Sequence, residues 1–173
     1  RSFQISAVFP HLTVLQNVRI GLQRQLGTSF HFWQSERALS RLNDRAMQLL
    51  AEVDLSEFAD TVTVDMPYGR KRALEIATTL AMEPELMLLD EPTQGMGHED
   101  VHRVTDLIKK VSAGRTILMV EHNMKVVSGI CDKISVLQRG AMLAEGTYAE
   151  VSRNPQVMEA YMGTEAAVLE GAH

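Results

Sequence analysis

Short apolar runs frame the second half of this chain. Leu86-Met87-Leu88-Leu89 is bounded by Pro84 on one side and by Asp90-Glu91-Pro92 on the other. Four apolar residues between such breakers predict a strand buried on both faces, as in a parallel sheet. Thr116-Ile117-Leu118-Met119-Val120 repeats the pattern and runs into Glu121-His122-Asn123. A third strand is predicted at 134–137, turned by Arg139-Gly140 into a hairpin with 141–144. Between these runs the spacing becomes helical. A helix over 99–111 has acids early and Lys109-Lys110 late and is closed by Gly114; a short one follows at 124–130. Strand, helix, strand, helix, strand predicts a parallel α/β half-sheet from residue 86 onward.

The first half reads as mostly helical. Arg1-Ser2-Phe3-Gln4-Ile5 is extended and leads through Val8-Phe9-Pro10 to a helix beginning near Leu12, with Thr13 as its cap. Residues 27–33 predict a loop whose Phe30, Phe32 and Trp33 pack rather than bind a ligand. A helix over 35–53 presents Ala38, Leu39, Leu42, Ala46, Leu49 and Leu50, with Ser35 placed to cap it. Met66-Pro67-Tyr68-Gly69 then punctuates the chain before a helix over 70–82, which ends ahead of Pro84. Beyond the hairpin, short helices are expected at 148–151 and from Pro155, and the tail from Gly163 is expected to fray.

Composition narrows the classes. At 173 residues and 45% hydrophobic content, the chain can build one core. Its 17 basic and 22 acidic residues leave a formal charge of -5, without the basic footprint of a nucleic-acid binder. The single Cys131 excludes an internal disulfide and a multi-cysteine metal site. No apolar run approaches membrane-spanning length.

The candidate chemistry sits at strand ends, where open α/β sheets bind their ligands. Asp90 and Glu91 leave the first strand, and His122 follows the second. A carboxylate can polarise an attacking water, and a histidine can hold a phosphate by a hydrogen bond. Pro67-Tyr68-Gly69 feeding a helix that opens Arg70-Lys71-Arg72 is an anion site in one reading and a solvated basic turn in the other. Taken alone, His122 reads more readily as a structural histidine than as a functional one.

Taken in order, these motifs resemble the ATP-binding cassette (ABC) ATPases over nearly the whole chain. Gln4 matches the Q-loop glutamine, Met66-Pro67-Tyr68-Gly69-Arg70 the signature, Asp90-Glu91 the Walker B pair, Gln94 to Gly97 the D-loop and His122 the switch histidine. Leu12 to Val18, Tyr68 to Ala77, Val120 to Met124 and Gly146 to Gly163 are similar to the ATP-binding subunits of bacterial branched-chain amino-acid importers, and the insert around 21–45 to the larger of the two.

The resemblance implies a partial P-loop NTPase fold, a parallel α/β sheet flanked by helices with a helical subdomain inserted after the Q-loop. It divides the chain into a Q-loop region (1–11), a helical signature subdomain (12–82), the C-terminal half of the α/β core (83–147) and C-terminal helices (148–173). It implies ATP and magnesium as cofactors, with Glu91 polarising water, Asp90 holding magnesium through water and Gln4 sensing it. Pro67, Tyr68, Gly69 and Arg70 would clamp the nucleotide of a second ATPase subunit, in a homo- or heterodimer, and Gly97 would lie in the D-loop at that contact. The remaining partners implied are membrane permease subunits and, through them, a periplasmic binding protein, at the cytoplasmic face of the bacterial inner membrane.

The chain departs from the pattern. No G-x-x-x-x-G-K-[ST] occurs in it. That motif is expected upstream of Arg1 in a longer protein, so this piece alone is expected to be inactive and to expose apolar surface and a sheet edge. Pro67 replaces the usual serine and Gly97 the usual aspartate. Two rival readings remain. His98-Glu99-Asp100-Val101-His102 fits the zinc-hydrolase motif H-E-x-x-H, without an evident third ligand. The other rival is a soluble ABC ATPase not tied to a transporter, one acting on nucleic acid or ribosomes or a non-hydrolysing regulatory relative.

Overall fold

The computed structural model describes residues 8–23 and 41–160, which fall into two compact units, one through Glu121 and one from His122. In the first unit, helix α1 (Val14–Gln23) begins where expected. Thr13 and Gln16 hold each other reciprocally: the Gln16 N–H donates to the Thr13 hydroxyl at 3.2 Å and the Thr13 N–H to Gln16 Oε1 at 2.8 Å. This is the capping box of a T-x-x-Q sequence. Of the expected second helix, α2 (Asn43–Glu52) is described, with Ala46, Leu49 and Leu50 buried. Ser35, Ala38, Leu39, the aromatic residues of 30–33 and the tail beyond 160 lie outside the described residues.

Helix α3 (Tyr68–Leu80) packs against both, and α4 (His98–Val111) packs on α3. Where α1 meets α3, a Cβ on Gly21 would lie 2.9 Å from Ala81 Cβ and 3.0 Å from the Thr78 carbonyl oxygen, so only glycine allows that approach. Helix α3 starts two residues earlier than the spacing predicts. Pro67, at φ -57 and ψ 151, occupies the position before the first turn, so Tyr68 and Gly69 are helical rather than part of a loop.

Strands β1 (Leu86–Asp90) and β2 (Thr116–Val120) pair in parallel, Leu86 opposite Thr116 and Asp90 opposite Val120, with α4 as the crossover. Burial on both faces is not found. Met87 is 1% exposed, yet Leu86, Leu88, Leu118 and Val120 are 52 to 70% exposed. Side chains alternate across a strand, and among the described residues only one face of this two-stranded sheet is covered. The apolar surface expected of this piece is therefore present.

In the second unit, α5 (Met124–Ile130) is capped by Asn123, whose side chain accepts from the Lys125 N–H. The expected third parallel strand is instead the first arm of a separate hairpin, β3 (Ile134–Gln138) with β4 (Ala141–Gly146). Arg139 and Gly140 both have positive φ, 50° and 81°, the twist that turns a strand back on its own neighbour. A bulge between Val136 and Leu137 shifts the register. Helix α6 (Tyr148–Val151) packs on the hairpin, and residues 155–160 form a further helical turn.

Candidate functional site

The end of β1 carries the chemistry. Asp90 is its last residue and is exposed, while Glu91 steps off the strand with φ 41. A left-handed backbone costs an L residue other than glycine roughly 1–2 kcal/mol, so the surrounding bonds must impose it. They are visible. The Glu91 N–H donates to the Val120 carbonyl at 2.8 Å, one step past the ladder, and its own carbonyl accepts from the Gln94 N–H at 3.1 Å. Thr93, 5% exposed, donates through both its N–H (3.2 Å) and its hydroxyl to one oxygen of Glu121, the residue after β2. Arg72 of α3 donates to the Asp90 carbonyl at 3.2 Å and pairs with Glu75. The two carboxylates thus project from a turn fixed from the neighbouring strand and from helix α3.

The start of α3 is less open to an anion than its charge suggests. Arg70 lies 4.0 Å from the centroid of the Phe58 ring, a cation–π contact, and Lys71 donates to the Val64 carbonyl at 2.9 Å. With Arg72 committed to Glu75 and Asp90, all three cations of Arg70-Lys71-Arg72 have partners within the chain. A Cβ on Gly69 would sit 2.7 Å from the Asp100 carboxyl carbon, so α4 already brings a carboxylate to this helix start. Tyr68 stays 63% exposed and Pro67 is exposed beside it. Helix geometry leaves the first-turn N–H groups of Tyr68 and Gly69 without intrahelical acceptors.

Gly97 caps α4 with φ -70 and ψ 161 and has open space around its Cα. His122 opens the second unit, two residues beyond β2. Gln4 lies outside the described residues. Sequence reasoning passed over Thr93 and Glu121. Their pairing spans 28 residues, and the only local signal was a carboxylate at the end of an apolar run.

Magnesium is bound in phosphoryl-transfer sites through one or two carboxylates plus substrate oxygens and water, and the Asp90–Glu91 pair fits such a donor set. The zinc reading lacks a third ligand: among the described residues no three His, Cys, Asp or Glu side chains are placed to hold a metal ion. Glu99 is moreover paired with Arg103 at 3.0 Å.

A crossover parallel pair with adjacent acids at the carboxyl end of one strand, joined to a helical layer, is the arrangement in which open α/β folds place ligand-binding residues. The family profile described as "ABC transporter" matches residues 2–94, more than half of the chain, and the chain belongs to that family. A second, described as "Branched-chain amino acid ATP-binding cassette transporter", matches residues 141–167.

Within the family, the chain is 36% identical over 170 residues to the high-affinity branched-chain amino acid transport ATP-binding protein LivG of Salmonella typhimurium, covering 94% of this chain and 67% of that protein. It is 35% identical, with the same coverage, to BraF of Pseudomonas aeruginosa, which carries the same description. Among solved structures, the ATP-binding cassette MJ1267 in its ADP conformation superposes with a TM-score of 0.73 at 27% identity, covering 89% of this chain and 64% of that one. The cassette MJ0796, in a dimeric post-hydrolysis state bound to ADP and Pi, superposes with a TM-score of 0.64 at 26% identity, covering 84% and 60%. The chain thus spans about two thirds of the length of these relatives.

Proposed function

We propose that this chain is part of the ATP-hydrolysing subunit of an ABC importer for branched-chain or related amino acids. The observation that carries the proposal is the Asp90–Glu91 pair, held at the C-terminal end of a parallel strand with Glu91 in a left-handed backbone that three neighbouring hydrogen bonds surround. Membership of the family and similarity to LivG and BraF support the solute class.

In this reading Glu91 accepts a proton from the attacking water, and Asp90 holds magnesium through a water. Gln4 senses the ion and couples to a membrane subunit, and His122 donates a hydrogen bond to the terminal phosphate. Bound magnesium-ATP supplies the transferable phosphoryl group and the charge that these residues position. The first-turn N–H groups of Tyr68 and Gly69, with Pro67 and Arg70 beside them, face the nucleotide of a second ATPase subunit, and Gly97 lies in the loop at the same contact. The dimeric state of the related MJ0796 cassette supports that arrangement. Residues 1–11 and 83–147 then belong to the catalytic core, 12–82 to the helical subdomain and 148–173 to the C-terminal helices. The subunit would sit on permease subunits at the cytoplasmic face of the inner membrane, served by a periplasmic binding protein.

The test is Glu91→Gln in the full-length subunit. The expected result is a loss of hydrolysis of about 10²–10⁴-fold with ATP still bound, since a general base contributes in that range. Hydrolysis at the unaltered rate would overturn the proposal. Co-purification with a polytopic membrane protein tests the transporter assignment, and recovery with none would remove it.

A further inference from the structure

We infer that Glu121 is a positioning residue for the Glu91 carboxylate, acting through Thr93; the inference rests on the ATP-hydrolysing reading above. Glu91 holds a backbone conformation that an L residue leaves if released, with φ 41. Its own N–H is held by the Val120 carbonyl at 2.8 Å. The next restraint downstream of Glu91 along the chain is the bond from Thr93 to Glu121. Only Pro92, whose ring fixes φ, separates Glu91 from Thr93, so a restraint on Thr93 reaches Glu91 through a stiff link. Both Thr93 donors converge on one Glu121 oxygen, and Thr93 is 5% exposed, so water competes little for them. A charged acceptor for two donors is stronger than a neutral one.

Val120 and Glu121 are consecutive, so the segment leaving β2 grips the turn on both sides of Glu91. Glu121 acts on Glu91 by geometry, through the two Thr93 donors held on its Oε1. A base displaced by about 1 Å can lose on the order of 100-fold in rate while binding is untouched, which is where the effect of Glu121 will be read.

The experiment uses the full-length subunit in its assembled, nucleotide-binding form and compares Glu121→Ala, Glu121→Gln, Thr93→Val and Glu91→Gln. Glu121→Ala lowers kcat for ATP hydrolysis by about ten- to a hundredfold while KM stays within about twofold. Glu121→Gln, which keeps an Oε1 acceptor for both Thr93 donors, recovers most of that loss. Thr93→Val keeps the N–H and loses only the hydroxyl, so it falls between, and adding it to Glu121→Ala lowers kcat little further. If Glu121→Ala fails to fold, the Thr93→Val and Glu121→Gln pair carries the test with the same ordering.

The inference is overturned if Glu121→Ala leaves kcat within about twofold, or if KM rises in proportion as kcat falls. It is equally overturned if the glutamine variant is as impaired as the alanine one. Glu91→Gln separates the levels of failure. If it is inactive while Glu121→Ala is normal, only the role of Glu121 is lost; if it hydrolyses ATP at the unaltered rate, the reading beneath the inference goes with it.

Discussion

Asn17 of α1 ties Phe9 and Thr13 just upstream to Thr63, 46 residues on, and its removal has a cost that follows from the structure. It is 3% exposed. Its Oδ1 accepts from the Phe9 N–H at 2.6 Å, and its Nδ2 lies 3.1 Å from the Phe9 carbonyl, 3.0 Å from the Thr13 carbonyl and 3.0 Å from the Thr63 hydroxyl. An amide nitrogen has two protons to share among those acceptors, so the side chain makes about three bonds at once. At about 1 kcal/mol each, Asn17→Ala loses roughly 3 kcal/mol. The Phe9 N–H gives up its Oδ1 acceptor, which can only add to that sum, but the other groups left behind keep partners. The Phe9 carbonyl still accepts from the Leu12 N–H, the Thr13 carbonyl from the Asn17 N–H, and Thr63 still donates to the Leu12 carbonyl. Asn17→Asp keeps the acceptor for Phe9 but turns an unprotonated oxygen toward two carbonyls. It is expected to cost at least as much at neutral pH. Because the folded state disfavours its charged form, the introduced carboxyl titrates above its unfolded value, and the penalty shrinks as pH falls toward that value. Urea unfolding of the full-length chain, with m unchanged, reads both numbers. A loss below about 1 kcal/mol for Asn17→Ala would refute the additive reasoning.

Two further outcomes follow from contacts elsewhere. The Glu150 carboxyl is held below its ordinary value of 4.5 by the Thr147 N–H (2.7 Å) and hydroxyl (2.9 Å). A lowered folded-state pKa stabilises above the unfolded value, so this capping contribution to α6 is present above about pH 4.5 and is lost as pH falls through the folded value; an NMR titration of Glu150 reads the depression, which Thr147→Ala shrinks. Gly69→Ala meets the Asp100 carboxyl at 2.7 Å, a clash that cancels the ~1 kcal/mol by which alanine exceeds glycine inside a helix. The same change made in an Asp100→Ala background is expected to be more favourable by about that amount in thermal or urea unfolding, and equal effects in both backgrounds would deny the contact.

How far the sequence could be read depended on how local the cause was. Pro84 and Gly114 bracket β1 and α4, and Gly114 also precedes β2, because breakers act on their own residues; Arg139-Gly140 marks the hairpin for the same reason. The Thr13–Gln16 capping box is equally local. The sequence places Met66-Pro67-Tyr68-Gly69 as a turn ahead of the helix, whereas Pro67 is the residue before the first helical turn and α3 starts at Tyr68. Burial of β1 on both faces failed because a run of leucines does not say what covers it. At the site, Asp90 and Glu91 were legible from their place after an apolar run. What holds them was not: Thr93 to Glu121 spans 28 residues and Asn17 to Thr63 spans 46, so only the folded chain brings them together. Neither reading of Arg70-Lys71-Arg72, anion site or solvated basic turn, could foresee the Phe58, Val64 and Glu75 groups that engage these cations.

The left-handed backbone at Glu91 sets two selections against each other at one position. For a residue at φ 41, glycine is the replacement the backbone tolerates best, and it would relieve on the order of 1 kcal/mol of strain while deleting the carboxylate. A screen that rewards only folding yield or heat resistance would therefore drift toward loss of the proposed base, and a library built to strengthen this protein should keep position 91 out of its design.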